Sequence, residues 1–202
     1  MNNALILLGL LMVSLSSGCV TGNVAGDIDA SGTTTLIEED IMKNRIAVFD
    51  TSLGKFKIEL YEDEMPVTTG NFIKLANDGF YDGVIFHRII NGFMIQGGDP
   101  EGTGTGGPGY TIEDEFIDGL SNVKGTIAMA NSGRPNSGGS QFFINLVDNV
   151  YLDWDKPPES SKHPVFGKVI EGMDTVEAMG KVDVGAGARP KEDVVINRIV
   201  IE

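Results

Sequence analysis

The stretch that most constrains the fold of this chain spans 86–99 and reads FHRIINGFMIQGGD. Its apolar residues are mostly β-branched or aromatic, and Asn91-Gly92 is a hairpin signal, so it predicts two short antiparallel strands. Arg88 and Gln96 then lie within sheet structure, where an arginine is rarely buried unless a partner satisfies it. The guanidinium donors, beside the Gln96 amide and an apolar surface, suit an extended peptide. An edge strand whose arginine extends into water is the alternative, and these residues alone leave both open.

A second block, 129–144, reads MANSGRPNSGGSQFFI. Together the two blocks resemble the hallmark motifs of the cyclophilins, the peptidyl-prolyl cis-trans isomerases, and the similarity extends from about Arg45 to Glu202. Family members commonly carry proline where this chain has Asn91, a departure that we expect to alter the turn more than the site. The resemblance implies a mainly β fold, a closed eight-stranded antiparallel barrel capped by two helices.

The resemblance also implies an activity and the residues that perform it. It implies rotation of Xaa-Pro bonds in proline-containing peptides and unfolded chains, with no cofactor and with Arg88 as the catalytic residue. The substrate-binding residues that it implies are Phe93, Met94, Phe143 and Leu152 as walls of the proline pocket, Gln96 and Gln141 as polar contacts, Ala130 and Asn131 along the peptide backbone, Tyr151 at the rim, and His163. For Phe143 and Leu152 the plainer interpretation is ordinary core.

Two departures from the family pattern fall at the rim of the implied pocket. Tyr151 stands where many members carry tryptophan, and residues 154–162, WDKPPESSK, lengthen the loop before His163. Members bind the cyclic peptide cyclosporin partly through the N–H of that tryptophan. Since a phenol donates from a smaller ring and a different point, we expect weak cyclosporin binding with ordinary isomerase activity.

The composition limits the size of the domain and the class of partner. With 202 residues and 41% apolar content, the chain has material for one well-packed domain and an N-terminal extension. Its 15 basic and 29 acidic residues give a net charge of -14, which disfavours nucleic acid as a partner. Two distant histidines and one cysteine offer little support for a metal site. We expect a monomer.

The N-terminus has the outline of an export signal. An apolar run followed by small residues predicts a signal peptide over 1–18, and Cys19 after it resembles the lipid-attachment cysteine of a lipoprotein. The region 19–43, rich in small and acidic residues, predicts a flexible linker between a membrane anchor and an isomerase domain over 44–202. Simple secretion, an uncleaved N-terminal anchor and a cytoplasmic protein remain alternatives.

Periodicity and breaker residues predict the remaining elements. Pro66 opens a helix through about Asn77, with Val67 and Phe72 on its apolar face. The other predicted elements are strands over 46–49, 56–60, 126–130, 141–145, 165–170 and 194–201, and a second helix over 173–179. The glycine-rich run 97–109 lacks the Gly-Lys-Ser/Thr ending of a phosphate loop, so we expect an ordered loop over the sheet.

Two other function classes compete with the isomerase hypothesis. The same fold could serve as a peptide-binding or chaperone module without catalysis, although Arg88 argues for turnover. A hydrolase triad of Ser140, His163 and Asp99 is the other alternative, but no Gly-x-Ser-x-Gly motif supports it.

Overall fold

The structure is a computed structural model, and the residues it describes are 44–158 and 162–202. The predicted signal peptide, Cys19 and the linker through 43 lie outside the described residues. Among those that are described, no helix is long and apolar enough to cross a membrane, and no three or more His, Cys, Asp or Glu side chains are grouped as metal ligands.

Within the described ranges, eight strands pair antiparallel in one mainly β sheet. They are β1 (Ile46–Thr51), β2 (Gly54–Leu60), β3 (Arg88–Ile90), β4 (Met94–Gly97), β5 (Thr126–Met129), β6 (Phe142–Asn145), β7 (Val165–Glu171) and β8 (Ile196–Ile201). Their order across the sheet is β3-β4-β6-β5-β7-β2-β1-β8. The central strands β5 and β6 are buried along their whole length, so residues on both faces are covered.

The closed barrel that the resemblance implied is not confirmed by this strand pairing. The sheet ends at β3 and β8, and no strand ladder joins these two edges within the described residues. A single antiparallel bridge, Ile85 to Val195, links the segments that precede them. The Phe86 N–H donates to the Val194 carbonyl at 2.9 Å beside this bridge. The eight strands are therefore described as one curled sheet whose edges approach each other through this contact.

Aromatic rings fill the main core. Phe49 and Phe56, cross-strand partners in β1 and β2, stack with ring centroids 4.6 Å apart. Phe142 meets the edge of Phe49 at 5.8 Å, and Phe72 packs against Phe142 at the same centroid distance. These four side chains are no more than 1% exposed. The interior is thus closed by packed side chains, and any substrate has to bind outside it.

Two α-helices cover the sheet with the bounds that the sequence predicted. They are α1 (Pro66–Asn77), with Pro66 in its first turn, and α2 (Met173–Met179). Phe72 of α1 and Val176 of α2 are fully buried against the core. The prediction that Val67 belongs to the apolar face of α1 is wrong, because its side chain is 44% exposed while Thr68 and Thr69 are buried.

Candidate active site

Strand register places the predicted catalytic residues in one row. Arg88 of β3 lies opposite Gln96 of β4, and Gln96 lies opposite Phe143 of β6. Their neighbours Ile89 and Ile95 point into the main core and are at most 1% exposed. Because successive side chains of a strand point to opposite faces, the row faces away from that core. The hairpin predicted from 86–99 is confirmed, and its polar residues share the outer face of the sheet.

A second apolar cluster lies on this outer face. Met94, Phe143 and Leu152 are 1%, 4% and 8% exposed, and the half-buried Phe93 packs against them. Leu152 arrives from a short 3₁₀ turn, Val150–Leu152, rather than from the sheet. The cluster is separate from the main core. Phe143 and Leu152 therefore belong to a small apolar patch beside Arg88 in which both are buried, as the core interpretation expects, and their part in substrate binding stays a prediction.

A chain of hydrogen bonds orients the polar side chains beside this patch. Arg88 Nη1 donates to Gln96 Oε1 at 3.3 Å, and Gln96 Nε2 donates to Gln141 Oε1 at 3.0 Å. Gln141 Nε2 then donates to the Gly106 carbonyl at 2.9 Å. The guanidinium carbon of Arg88 lies 6.0 Å from the Phe93 ring centroid. Only one of its five N–H donors is used by the described part of the chain, so a bound peptide can take the others.

His163 is held at the edge of the patch. Its ring meets Phe143 edge to face at 5.2 Å, and Nδ1 lies 3.1 Å from the Met129 carbonyl. A carbonyl only accepts, so Nδ1 carries the proton, and in the neutral ring Nε2 is the acceptor. Burial lowers the pKa of His163 below its ordinary value, although the Met129 hydrogen bond opposes this shift. His163 is therefore neutral at pH 7.

Ala130 and Asn131 continue the site beyond β5. The Ala130 N–H donates to the Gln141 carbonyl at 3.0 Å, and Asn131 Nδ2 donates to the Lys162 carbonyl at 2.7 Å. Both residues line a cavity of about 570 Å³ that Gln96 and the glycine-rich loop also border. Ala130 also packs against the apolar patch, so the cavity and the patch are neighbours on the same surface.

The rim is formed by Tyr151. Its ring is stacked on Phe93 with centroids 6.3 Å apart, and the residue is 54% exposed. Trp154, the first residue of the lengthened loop, stacks on Phe116 with ring centroids 6.0 Å apart. The lengthened loop thus directs the indole onto another side chain, which favours Tyr151 as the rim residue.

The structure also shows a role of Asp99 that the sequence reasoning missed. Asp99 is fully buried, and its carboxylate accepts backbone N–H groups from Glu101, Thr103, Gly104 and Gly106. Burial alone would raise the pKa of Asp99, but these four N–H groups outweigh burial and hold the pKa below its ordinary value. The signal in the sequence was an aspartate directly before a glycine-rich run, a pattern that favours carboxylate capping of a turn.

The hydrolase triad is rejected by the geometry. Ser140 Oγ donates to the Gly98 carbonyl at 2.7 Å. His163 bonds the Met129 carbonyl through Nδ1, and the Asp99 carboxylate accepts backbone N–H groups. None of the three side chains is hydrogen-bonded to another, whereas a nucleophile and its base must lie within hydrogen-bond reach.

Comparison with known proteins identifies the family. The model of the "Cyclophilin type peptidyl-prolyl cis-trans isomerase/CLD" family matches residues 46–201. The chain is 48% identical over 155 residues to peptidyl-prolyl cis-trans isomerase-like 1 of Aspergillus fumigatus, covering 75% of this chain and 91% of the relative. It is 45% identical over 155 residues to peptidyl-prolyl cis-trans isomerase CYP18-1 of Arabidopsis thaliana, with coverage of 75% and 92%.

Solved structures agree with this likeness. A cyclophilin-type peptidyl-prolyl cis-trans isomerase of Cryptosporidium parvum superposes with a TM-score of 0.73 at 34% identity, covering 79% of this chain and 98% of that one. The same protein, solved in the presence of the dipeptide Ala-Pro, superposes with a TM-score of 0.72 at 34% identity, covering 78% and 98%. The chain therefore belongs to the cyclophilin-type peptidyl-prolyl cis-trans isomerases.

Proposed function

We propose that this isomerase binds the proline ring of its substrate against Met94, Phe143 and Leu152, with Arg88 as donor to the proline nitrogen. The observation that carries the proposal is the position of Arg88 at the border of this apolar patch. It is held there by one hydrogen bond to Gln96, which leaves further N–H donors available. The Cryptosporidium relative solved in the presence of the dipeptide Ala-Pro supports a proline-containing peptide as the ligand.

The donor matters because of the barrier to rotation. The bond before proline has partial double-bond character, and its barrier is about 18–20 kcal/mol. A donor aimed at the proline nitrogen stabilises a pyramidal nitrogen that exists only in the twisted transition state. A rate enhancement of about 10⁵ needs roughly 7 kcal/mol, more than one hydrogen bond supplies. Exclusion of water at the apolar patch and anchoring of the flanking residues supply the remainder.

The protein has separate groups that anchor the substrate residues on either side of the proline. The Gln96 and Gln141 amides are held by a continuous hydrogen-bond chain, so they keep their orientation before a peptide arrives. Ala130 and Asn131 border the neighbouring cavity, where an extended peptide can lie beside them. Preorganised groups of this kind lower the entropic cost of binding.

The sheet also supports a rigid position for Arg88. The bridge from Ile85 to Val195 ties the segment before β3 to the segment before β8. We infer that this contact closes the curled sheet into the barrel that the resemblance implied. A closed barrel keeps β3, which is only three residues long, from fraying at the edge.

The test is a protease-coupled isomerisation assay on a proline peptide with three variants. Arg88→Ala is expected to lower kcat/KM by about 100-fold or more, the cost of losing one transition-state donor. Arg88→Lys keeps the charge without the planar fork and should recover only part of the activity. Arg198→Ala, at an exposed position of β8, is the matched control and should be as active as the parent. Parent-level turnover by Arg88→Ala would refute the assigned mechanism.

A peptide-binding or chaperone role on the same fold makes a different prediction. The apolar patch and its rim do not depend on the Arg88 charge for their packing. If Arg88→Ala loses turnover but still suppresses aggregation of a proline-free client, binding without catalysis has a function of its own. If the parent protein itself does not suppress aggregation of that client, the binding role has no support and the role is catalytic.

The proposed cellular location of the protein rests on the sequence alone. The apolar and small-residue segment 1–18 and Cys19 support export and lipid attachment, and the small polar residues of 19–43 support a tether. We infer that the clients are exported or membrane-associated chains with exposed Xaa-Pro bonds. Simple secretion and an uncleaved segment are the outcomes that fractionation would distinguish.

A further inference from the structure

A second cavity, of about 420 Å³, is lined by Arg88 and shares Gln96 and Gly104 with the first. It is bordered by β3, by the glycine-rich loop at Gly104 and by the short 3₁₀ turn Ala186–Ala188. Gln96 borders both cavities, so its side chain forms part of the wall between them. We call this space the His87 cavity.

His87 is the unusual group in this cavity. It is 6% exposed, and neither ring nitrogen has a hydrogen-bond partner within the described residues. Gly104 faces its Nε2 edge, and a Cβ at that glycine would lie 3.8 Å from both Cδ2 and Nε2. Buried polar atoms without partners are rare and costly. The neutral imidazole therefore has an unused N–H donor and an unused acceptor, both buried, in a residue that lines the cavity.

Two arginines border the same cavity. Within the described part of the chain, the Arg88 guanidinium makes one hydrogen bond, to Gln96. Arg189 donates through Nη1 to the Gly102 carbonyl at 2.7 Å, and its Nη2 lies 3.4 Å from an Asp193 oxygen at the exposed surface. The guanidinium groups keep free N–H donors, and donors of this kind bind carboxylates and phosphates.

The carboxylates near the cavity do not occupy the N–H donors of Arg88, Arg189 and His87 that remain free. Asp99 is the acidic group that acts on His87, but its oxygens already accept four backbone N–H groups. Asp193 is exposed and makes only the long contact with Arg189. The cavity thus combines two cations with a buried imidazole N–H, a set that matches an oxyanion.

We propose that the His87 cavity binds the side-chain carboxylate of an aspartate or glutamate close to the proline of the client peptide. The inference rests on the proposed function, because the peptide must cross Arg88 to bring a side chain there. Along an extended peptide, side chains on one face recur at every second residue, about 6.6 Å apart, so residues two apart can reach the two cavities that Gln96 borders. The general acidity of the chain, with a net charge of -14, repels acidic peptides, so the preference is confined to one peptide position.

The test uses pairs of proline peptides that differ only as Glu or Gln, with the variable residue moved from three positions before the proline to three after it. At one position the Glu peptide is expected to bind the full-length protein about tenfold more tightly than its Gln partner. The chain has 2 histidines, so two imidazoles give ring NMR signals. Both peptides of that pair should shift the His163 signals, and only the Glu peptide should also shift those of His87.

Three variants isolate the cavity from overall charge. Arg189→Gln should bring the Glu to Gln affinity ratio close to one, and Arg189→Lys should keep part of it. Arg198→Gln makes the same change in net charge at an exposed position of β8 and should keep the full ratio. If Arg189→Gln does not fold, the parent protein with the peptide pairs and His87 signals still decides the question.

The outcomes separate this inference from the proposed function. If both peptides of every pair are isomerised and shift His163 equally, with no effect on His87, the carboxylate site is wrong and the proline site stands. If the Arg198→Gln control loses the preference as well, the effect is long-range charge and the cavity is not its source. If neither peptide binds or is isomerised, both proposals are wrong.

Discussion

Asp99 offers the sharpest test of how the glycine-rich loop holds the site. Its Oδ2 accepts N–H groups from Thr103, Gly104 and Gly106, whereas Oδ1 accepts only the N–H of Glu101 at 2.8 Å. Hydrogen bonds to a charged group contribute about 1.5–3 kcal/mol each, but water can reach the exposed donors once the carboxylate is gone. We therefore expect Asp99→Ala to lower the free energy of unfolding by about 2–4 kcal/mol.

Asp99→Asn should cost less than Asp99→Ala, about 1–2 kcal/mol. The amide oxygen can occupy the Oδ2 position and keep its three donors, so that only the Glu101 N–H faces an NH₂ group. Gly106 belongs to this loop and its carbonyl accepts from Gln141, so loosening the loop frees the Gln141 amide. KM should rise several-fold in both variants.

Urea denaturation followed by circular dichroism gives the unfolding free energies. Asp183→Asn is the matched control, because that side chain is 88% exposed and makes only a 3.7 Å contact with Lys191. It should change stability by less than about 0.5 kcal/mol. Equal stability of the Asp99→Asn and Asp183→Asn proteins at pH 7 would refute the argument.

The same interaction has a pH dependence with a fixed sign. The folded-state pKa of Asp99 is depressed below the unfolded value, so its contribution is present above the unfolded pKa of about 3.9. The contribution is lost as the pH falls through the folded pKa. The stability difference between the parent and Asp99→Asn should therefore shrink below about pH 4. A difference that stays constant down to pH 2 would contradict the charge assignment.

Four further predictions concern other parts of the chain. Gly70→Ala should stabilise the protein by about 0.5–1 kcal/mol in thermal melts, because a Cβ there meets nothing within 4 Å and the helix gains propensity; a lower Tm would contradict this. Isomerase activity should be nearly flat from about pH 6 to pH 9, since arginine does not titrate there and burial keeps His163 neutral through most of this range; a steep rise near pH 6.5 would indicate a histidine base. Tyr151→Trp should tighten cyclosporin binding by roughly tenfold, whereas Trp154→Phe should change the Kd little because the indole lies on another ring; the reverse pattern in a titration would mean that the rim is assigned wrongly. Cys19→Ser should move the protein from the membrane fraction to a soluble or unprocessed form, because stable attachment needs lipid chains; retention on the membrane would favour an uncleaved segment.

Local sequence signals predicted the elements well because these signals act over a few residues. Pro66 at the first turn and the apolar periodicity after it were enough for the bounds of α1. The Asn91-Gly92 turn between β-branched runs was enough for the β3–β4 hairpin. Val67 was misassigned because packing against the sheet decides which side of the helix is buried. The sequence of one short helix does not show that Thr68 and Thr69 lie on that side.

By itself the sequence determined the family, the element types and the residues of the candidate site, because two long motifs and local periodicity can be recognised without a structure. The tertiary structure alone decided which of these residues meet. Arg88, Gln96 and Phe143 share a row through strand register, and Gln141 reaches the Gly106 carbonyl 35 residues away. His87 and Arg189 are about one hundred residues apart and border one cavity. Such pairings depend on long-range hydrogen bonds and on which face each strand buries, and a slip of one residue would reverse every face.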